Sequence, residues 1–400
     1  MKKLLLALAA GAGACALSTA AIAAGNTSAV DQVGTSDNTY VNQSGSDNTA
    51  GFGAATSLGQ GRALSQQGGS GNSLTINQSG DRNTIGSNTP GFSLQNGASN
   101  KLQIDQSGNE NKTTYVQTGT GNGSVWGYAS QSGTGATLVL NQVQSGTGAT
   151  AGGSNNVQSY QSGNGSINLG QTSSGGGQGN YAYMVQSNSN NGIDLTQTNT
   201  GQLRNYANLN QSANYSQITA TQAIGGNDLI ASQSGQYNVI NSTQAAFGNV
   251  ATIAQSGNGF AGTSNGNLVV NNQLTGGNTL YAYQIAGFGN TISNTNRDAG
   301  VGNYAYMYQS GNLNTMSSET TGGGNTFTGI QVGDRNNATY QGYGTNSSGY
   351  IEQYGDLNTA TISQRADGQH ASIYQGSYSN TATIYQNGGG SNVATIRQNR

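Results

Sequence analysis

In the stretch EQYGDLNTATISQRADGQHASIYQGSYSNTATIYQ, Gln stands at 353, 364, 375 and 386, a step of eleven each time. No other feature constrains the fold as strongly, because a fixed period of self-similarity is the signature of stacked repeats. Fourteen pairs of Gln lie eleven apart along the chain, among them the run Gln211, Gln222, Gln233, Gln244 and Gln255. With 38 Gln in 400 positions, chance accounts for about four such pairs. Asn usually follows the first Gln of a pair by five, as Asn227, Asn238, Asn249, Asn358 and Asn380 do. The half-unit also occurs alone, for instance as Asn392 followed by Gln398.

Within a unit the period is two. NTATISQ puts Asn358, Ala360, Ile362 and Gln364 on one side and Thr359, Thr361 and Ser363 on the other. Alternation of this kind marks a β-strand with one buried face. The same positions supply an apolar core set: Ala251 and Ile253, Ala360 and Ile362, Ala371 and Ile373, Ala382 and Ile384, and Ala394 and Ile396. Between strands, YGDL and RADG carry the Gly and Asp that turns require.

Two 11-residue half-units make a strand-turn-strand coil of 22 residues, and one coil cannot bury its inner face alone. The expected fold is therefore all-β: a β-solenoid of stacked coils. Each inner Asn or Gln amide meets its copy about 4.8 Å away and forms a ladder. Irregular spacers near 51–66, 84–94 (with Pro90), 145–154, 172–179, 256–266 and 342–350 read as loops at coil edges or as breaks between blocks.

Composition agrees with that reading. Charged residues are 6% of the chain and Pro occurs once, as suits a chain whose backbone N–H groups nearly all donate to a ladder. Residues 1–23 read as a secretory signal peptide: Lys2 and Lys3, an apolar run, then Ala21-Ile22-Ala23 before cleavage. Residues 24–400 form the repeat array. Cys15 falls inside the signal, so the exported chain has no disulfide. Without Lys2 and Lys3 the chain has 10 basic and 14 acidic residues, a net charge of −4. No basic run offers nucleic acid a site, and no stop-transfer pattern implies stable membrane insertion.

Ser347, Gln353, Gly355, Asn358, Ala360 and Gln364 reproduce the spacing S-x5-Q-x-G-x-x-N-x-A-x3-Q. That spacing resembles the curlin repeat of bacterial curli fibre subunits. Looser copies recur through most of 26–398. The resemblance implies an exported subunit that self-associates into extracellular amyloid fibres of a biofilm matrix. It also implies a second curlin-like subunit, periplasmic chaperones and an outer-membrane secretion channel as partners. The chain is longer than such subunits, and Asn26 opens a half-unit where they carry a Gly-rich leader.

Other readings find less support. His370 is the one His and lies on the outward set, so nucleophile–base catalysis has a single imidazole to use. Asp37, Asp47, Asp81, Asp334 and Asp356 sit in arcs and lack the dense spacing of calcium-binding repeats. No cofactor or metal is expected. Tyr181 and Tyr183, Tyr281 and Tyr283, and Tyr304 and Tyr306 point outward as candidate surface-contact residues. An ice-binding solenoid needs Thr-x-Thr on one face of successive coils. Thr359 and Thr361 align with Thr381 and Thr383, but Tyr206/Asn208, Asp228/Ile230 and Val250/Thr252 read as a row that does not persist. A monomeric solenoid adhesin, or a fibre-nucleating minor component, is the alternative to a fibre subunit. Both ends run as open repeats without a cap, and uncapped ladder edges template another chain.

Overall fold

The computed structural model describes residues 25–28, 30–51, 64–86, 93–119, 125–145, 155–174, 178–258, 266–297 and 301–399. The signal segment 1–23 and Pro90 lie outside them. So do 52–63, 87–92, 146–154, 175–177 and 259–265, which make up much of five of the six expected spacers. The chain falls into two compact units, Met1–Tyr206 and Ala207–Arg400. The described residues are strands and turns without a helix, and the strand pairings reported below are parallel.

In the second unit, one sheet stacks Asp228–Gln236, Val250–Asn258, Thr279–Ile285, Tyr304–Ser310, Thr326–Val332, Ser348–Tyr354, His370–Gln375 and Val393–Gln398 in that order. Facing it, a second sheet stacks Gln217–Gln222, Val239–Gln244, Leu268–Gln273, Thr291–Asn296, Thr315–Thr320, Asn337–Gly342, Thr359–Gln364 and Thr381–Gln386. Successive strands alternate between the sheets, so two make one coil of a β-solenoid. The first unit repeats the arrangement. Lys101–Asn109, Trp126–Thr134, Asn156–Ser162 and Tyr181–Ser187 form one side, and Lys112–Gly119, Thr137–Ser145, Gly165–Ser174 and Asn191–Asn199 the other. The all-β solenoid is thus the fold that the eleven-residue step and period-two alternation predict.

Burial follows the alternation. In Thr359–Gln364, Ala360, Ile362 and Gln364 are buried while Thr359 and Thr361 reach solvent. A fully buried Ile stabilises by about 1.5–3 kcal/mol, and Ile253, Ile351, Ile362 and Ile373 are buried in this way in this unit. The arcs turn on left-handed backbone. Gly311, Gly333 and Gly355 have φ of 108°, 115° and 87°. A Cβ on Gly333 would lie 2.2 Å from the Gly355 carbonyl oxygen of the next coil, so only Gly lets the coils approach there.

The stretch 342–350 is not a spacer. Gly342 ends one strand and Ser348 begins the next, with five residues between, the same arc as between Gln364 and His370. Its repeat signal is faint because Gly342 stands where the next coil has Gln364 and the preceding one has Thr320. The core adjusts nearby by exchanging large for small. Tyr340 stacks on Phe327 with ring centroids 4.9 Å apart, and Gly349 makes room, since a Cβ there would come within 2.4 Å of the Tyr340 ring.

The two outer faces of the second unit differ. Tyr281, Tyr283, Tyr304, Tyr306 and Tyr308 lie together on the first sheet. On the second, hydroxyl side chains stand in register through five coils at all outward positions but Asn337: Thr291/Ser293, Thr315/Ser317, Asn337/Thr339, Thr359/Thr361 and Thr381/Thr383. Strict Thr-x-Thr pairs occupy only the last two of these coils, and Leu268/Val270 precede the row, so a Thr-x-Thr row does not persist along the sheet, as expected. Asp228/Ile230 and Val250/Thr252 belong to the opposite sheet and are no test of it.

Candidate functional site: amide ladders and the outermost coil

The eleven-spaced Gln residues divide between the sheets, so each ladder joins residues one whole coil apart. On the first sheet of the second unit, Gln211, Gln233, Gln255, Gln284, Gln309, Gln331, Gln353, Gln375 and Gln398 form one unbroken chain. Each Nε2 donates to the next Oε1 at 2.7–2.9 Å. The same amide also donates across the coil interior to the facing strand. Gln255 reaches the Val239 carbonyl at 3.1 Å, Gln353 the Asn337 carbonyl at 3.1 Å and Gln364 the Ser348 carbonyl at 3.0 Å. Both amide hydrogens are thereby satisfied. An unpaired buried amide costs about 1–3 kcal/mol, so the ladder makes the deep burial of Gln tolerable.

Asn works differently, at the strand start. Its side-chain oxygen accepts the backbone N–H of the next Asn: Asn358 N–H to Asn336 at 3.0 Å, Asn380 N–H to Asn358 at 3.0 Å and Asn249 N–H to Asn227 at 3.1 Å. The side-chain nitrogen closes the arc behind, as Asn358 does on the Tyr354 carbonyl and Asn238 on the Ser234 carbonyl. Asp37 stands in such a position rather than in a solvated arc, buried and accepting the Asn72 N–H at 2.9 Å.

Most of the apolar residues named from sequence are buried: Ala251, Ile253, Ala360, Ile362, Ala371, Ile373, Ala382 and Ile384. Ala394 and Ile396 are the correction. They are only half-buried, Gln398 likewise, and Asn392 is exposed. Their strand Val393–Gln398 pairs with His370–Gln375 on one side, and no described strand stacks on the other. Beside it, Gln386 donates to the His370 and Asn392 carbonyls. This outermost coil thus presents strand edges and Gln amides in ladder geometry.

The six YAY tyrosines flank buried Ala182, Ala282 and Ala305 and face outward. Tyr281 and Tyr304, and Tyr283 and Tyr306, each lie 5.9 Å apart in tilted pairs. Tyr181 stacks on Tyr206 at 5.3 Å, with Arg204 over its ring. Nearer the outermost coil, Glu352 accepts the Tyr350 hydroxyl at 2.7 Å, and that carboxylate pushes the Tyr354 hydroxyl up to about 12. His370 is exposed, its Nδ1 2.6 Å from the Ser348 hydroxyl. Among the described residues no three His, Asp or Glu side chains converge in a metal-binding group.

Sequence reasoning missed a gap in the ladder on the second sheet. Gln222, Gln244 and Gln273 are linked, and so are Gln364 and Gln386. Between them the same column holds Asn296, Thr320 and Gly342. Around this interruption Asn294 Oδ1, Asn296 Nδ2, Ser318 Oγ, Thr321 Oγ1, the Tyr340 hydroxyl and Gln364 Oε1 are buried without a hydrogen-bond partner. Each such orphan costs about 1–3 kcal/mol, whereas the Phe327–Tyr340 pair returns about 0.5–1.5 kcal/mol beyond its area burial. The shortening Gln, Asn, Thr, Gly is visible in sequence only once the coil register is known.

The fold and its ladders define a parallel β-solenoid whose repeat is read through Asn and Gln amides. Within it, residues 344–376 match the family model of the curlin-associated repeat, so that segment is similar to a curlin repeat. The match spans the arc at Gly344, the strands Ser348–Tyr354 and Thr359–Gln364, and the strand His370–Gln375. No curated protein matches the chain.

Proposed function

We propose that the chain is a secreted structural subunit that polymerises into curli-like extracellular amyloid fibres, serving biofilm matrix, surface adhesion and cell aggregation. One observation carries this reading: the coil 381–398 repeats the ladder geometry of the coils beneath it while its outer edge is uncovered by any described strand. An uncovered edge of parallel strands is a template for another chain, and a second copy offers the matching amides. Residues 1–23 address the chain for export. A second curlin-like subunit, periplasmic chaperones and a secretion channel are its proposed partners, and no enzymatic activity is assigned.

The test is a time course on purified chain 24–400 diluted from denaturant, following thioflavin fluorescence and sedimentable mass together. A lag followed by growth, with the lag abolished by preformed seeds, is the expected result. A soluble, β-rich monomer that never grows overturns the self-sufficient subunit. The tyrosine face of strands Thr279–Ile285 and Tyr304–Ser310 favours the second reading, a monomeric solenoid adhesin or a minor component that acts on another subunit's fibre.

A further inference from the structure

We infer that the second unit carries a built-in seam, confined to one sheet, at which the solenoid opens before it opens anywhere else in the same coils. Strands Thr291–Asn296, Thr315–Thr320 and Asn337–Gly342 end without a Gln, and the orphaned atoms of Asn294, Asn296, Ser318, Tyr340 and Gln364 gather at those ends. Each of these residues is fully buried or nearly so, so closing the coil deprives its polar atoms of water without replacing it. Opening returns them to solvent. Tyr340 repairs shape but not hydrogen bonding. It takes the space beside Gly342, where a Cβ would lie 2.6 Å from its oxygen, and leaves Gln364 Oε1 unserved.

The opposite sheet of these same coils keeps its Gln at every strand end, and its one orphaned atom, Asn303 Nδ2, lies at a strand start. Gln284, Gln309, Gln331, Gln353 and Gln375 pass through them as an uninterrupted ladder. At the start of the defective strands the Asn column is also intact, with Asn314, Asn336 and Asn358 each donating to the preceding side chain. The seam therefore parts from the strand ends and turns about the sound sheet. On the solvent side it is crossed by the exposed Arg297–Glu319 contact at 3.8 Å, a weak restraint.

Hydrogen exchange resolved by peptide mass spectrometry on the folded chain tests this, with each coil as its own control whether the chain is monomeric or assembled. Amides of 317–321 and 339–343 are expected to exchange at least ~10-fold faster than those of 306–310 and 328–332 on the facing sheet. Equal protection on the two sheets overturns the proposal. The double variant Tyr340→Ile/Gly342→Gln copies the inward positions of strand 359–364 and supplies the missing rung, so it should slow exchange at 339–343 toward the facing-sheet rate. Unchanged exchange in a folded double variant would also overturn it. If that variant does not fold, the two-sheet comparison in the native chain still decides.

Discussion

A single Gln in this solenoid serves three partners, which makes the cost of losing one calculable. Gln353 accepts from Gln331, donates to Gln375 and donates across the coil to the Asn337 carbonyl. Gln353→Leu keeps similar bulk but orphans a donor above and an acceptor below. Chemical denaturation should register a loss of about 1–3 kcal/mol per orphaned group. Gln341, which faces outward on the neighbouring sheet, should tolerate the same change within about 0.5 kcal/mol. Carboxylates in the arcs add a pH dependence. Asp367 accepts the Thr345 N–H of the preceding coil at 2.7 Å and Asp81 accepts from Ser46, and these bonds hold both carboxyls below the usual range. A depressed folded pKa means the contribution is complete above the unfolded value and is lost as pH falls through the folded one. Urea midpoints of the native chain and Asp367→Asn should therefore differ near pH 5 and converge by about pH 2. A gap that persists in acid would show that the carboxylate's charge is not what stabilises the arc.

An element here is a strand, mostly of six to ten residues, whose inward positions meet their copies one coil away. Ile362 is packed between Tyr340 and Ile384 in its column, and Ile384 lies one coil nearer the edge. Ile362→Asp or Ile384→Asp places a carboxylate where no charge partner reaches it, a cost of several kcal/mol. Both variants should fail to assemble in the thioflavin and sedimentation assay, and fibre yields equal to the native chain's would remove the ladder from any account of assembly. Inner and outer sides of these strands were legible in the sequence because alternation is a property of the extended backbone itself. The ends of the second-sheet strands were not. Asn296, Thr320 and Gly342 look like unrelated residues until backbone pairing aligns them in one column with Gln273 and Gln364.

At the scale of the molecule, stability comes from neighbour-on-neighbour stacking rather than from one central core. Charge contributes little: among the described residues the ion pairs are Arg82–Glu110 and Arg297–Glu319, both largely exposed. Raising the salt from about 0.05 to about 1 M should shift the unfolding free energy by less than about 1 kcal/mol. A larger fall, followed by circular dichroism in urea, would point to electrostatics that these contacts do not supply. The sequence by itself determined the strand, its buried side, the 22-residue coil and the amide at most strand ends, because all of these follow from local periodicity. Tertiary structure decided which strands share a sheet. Ladder-bonded residues are 22 apart at Gln353–Gln375 but 29 apart at Gln255–Gln284 and 35 apart at Gln43–Gln78. Parallel backbone pairing absorbs the difference in the arcs. That is why the hydroxyl row, the tyrosine face and the interrupted ladder emerge only when the coils are stacked.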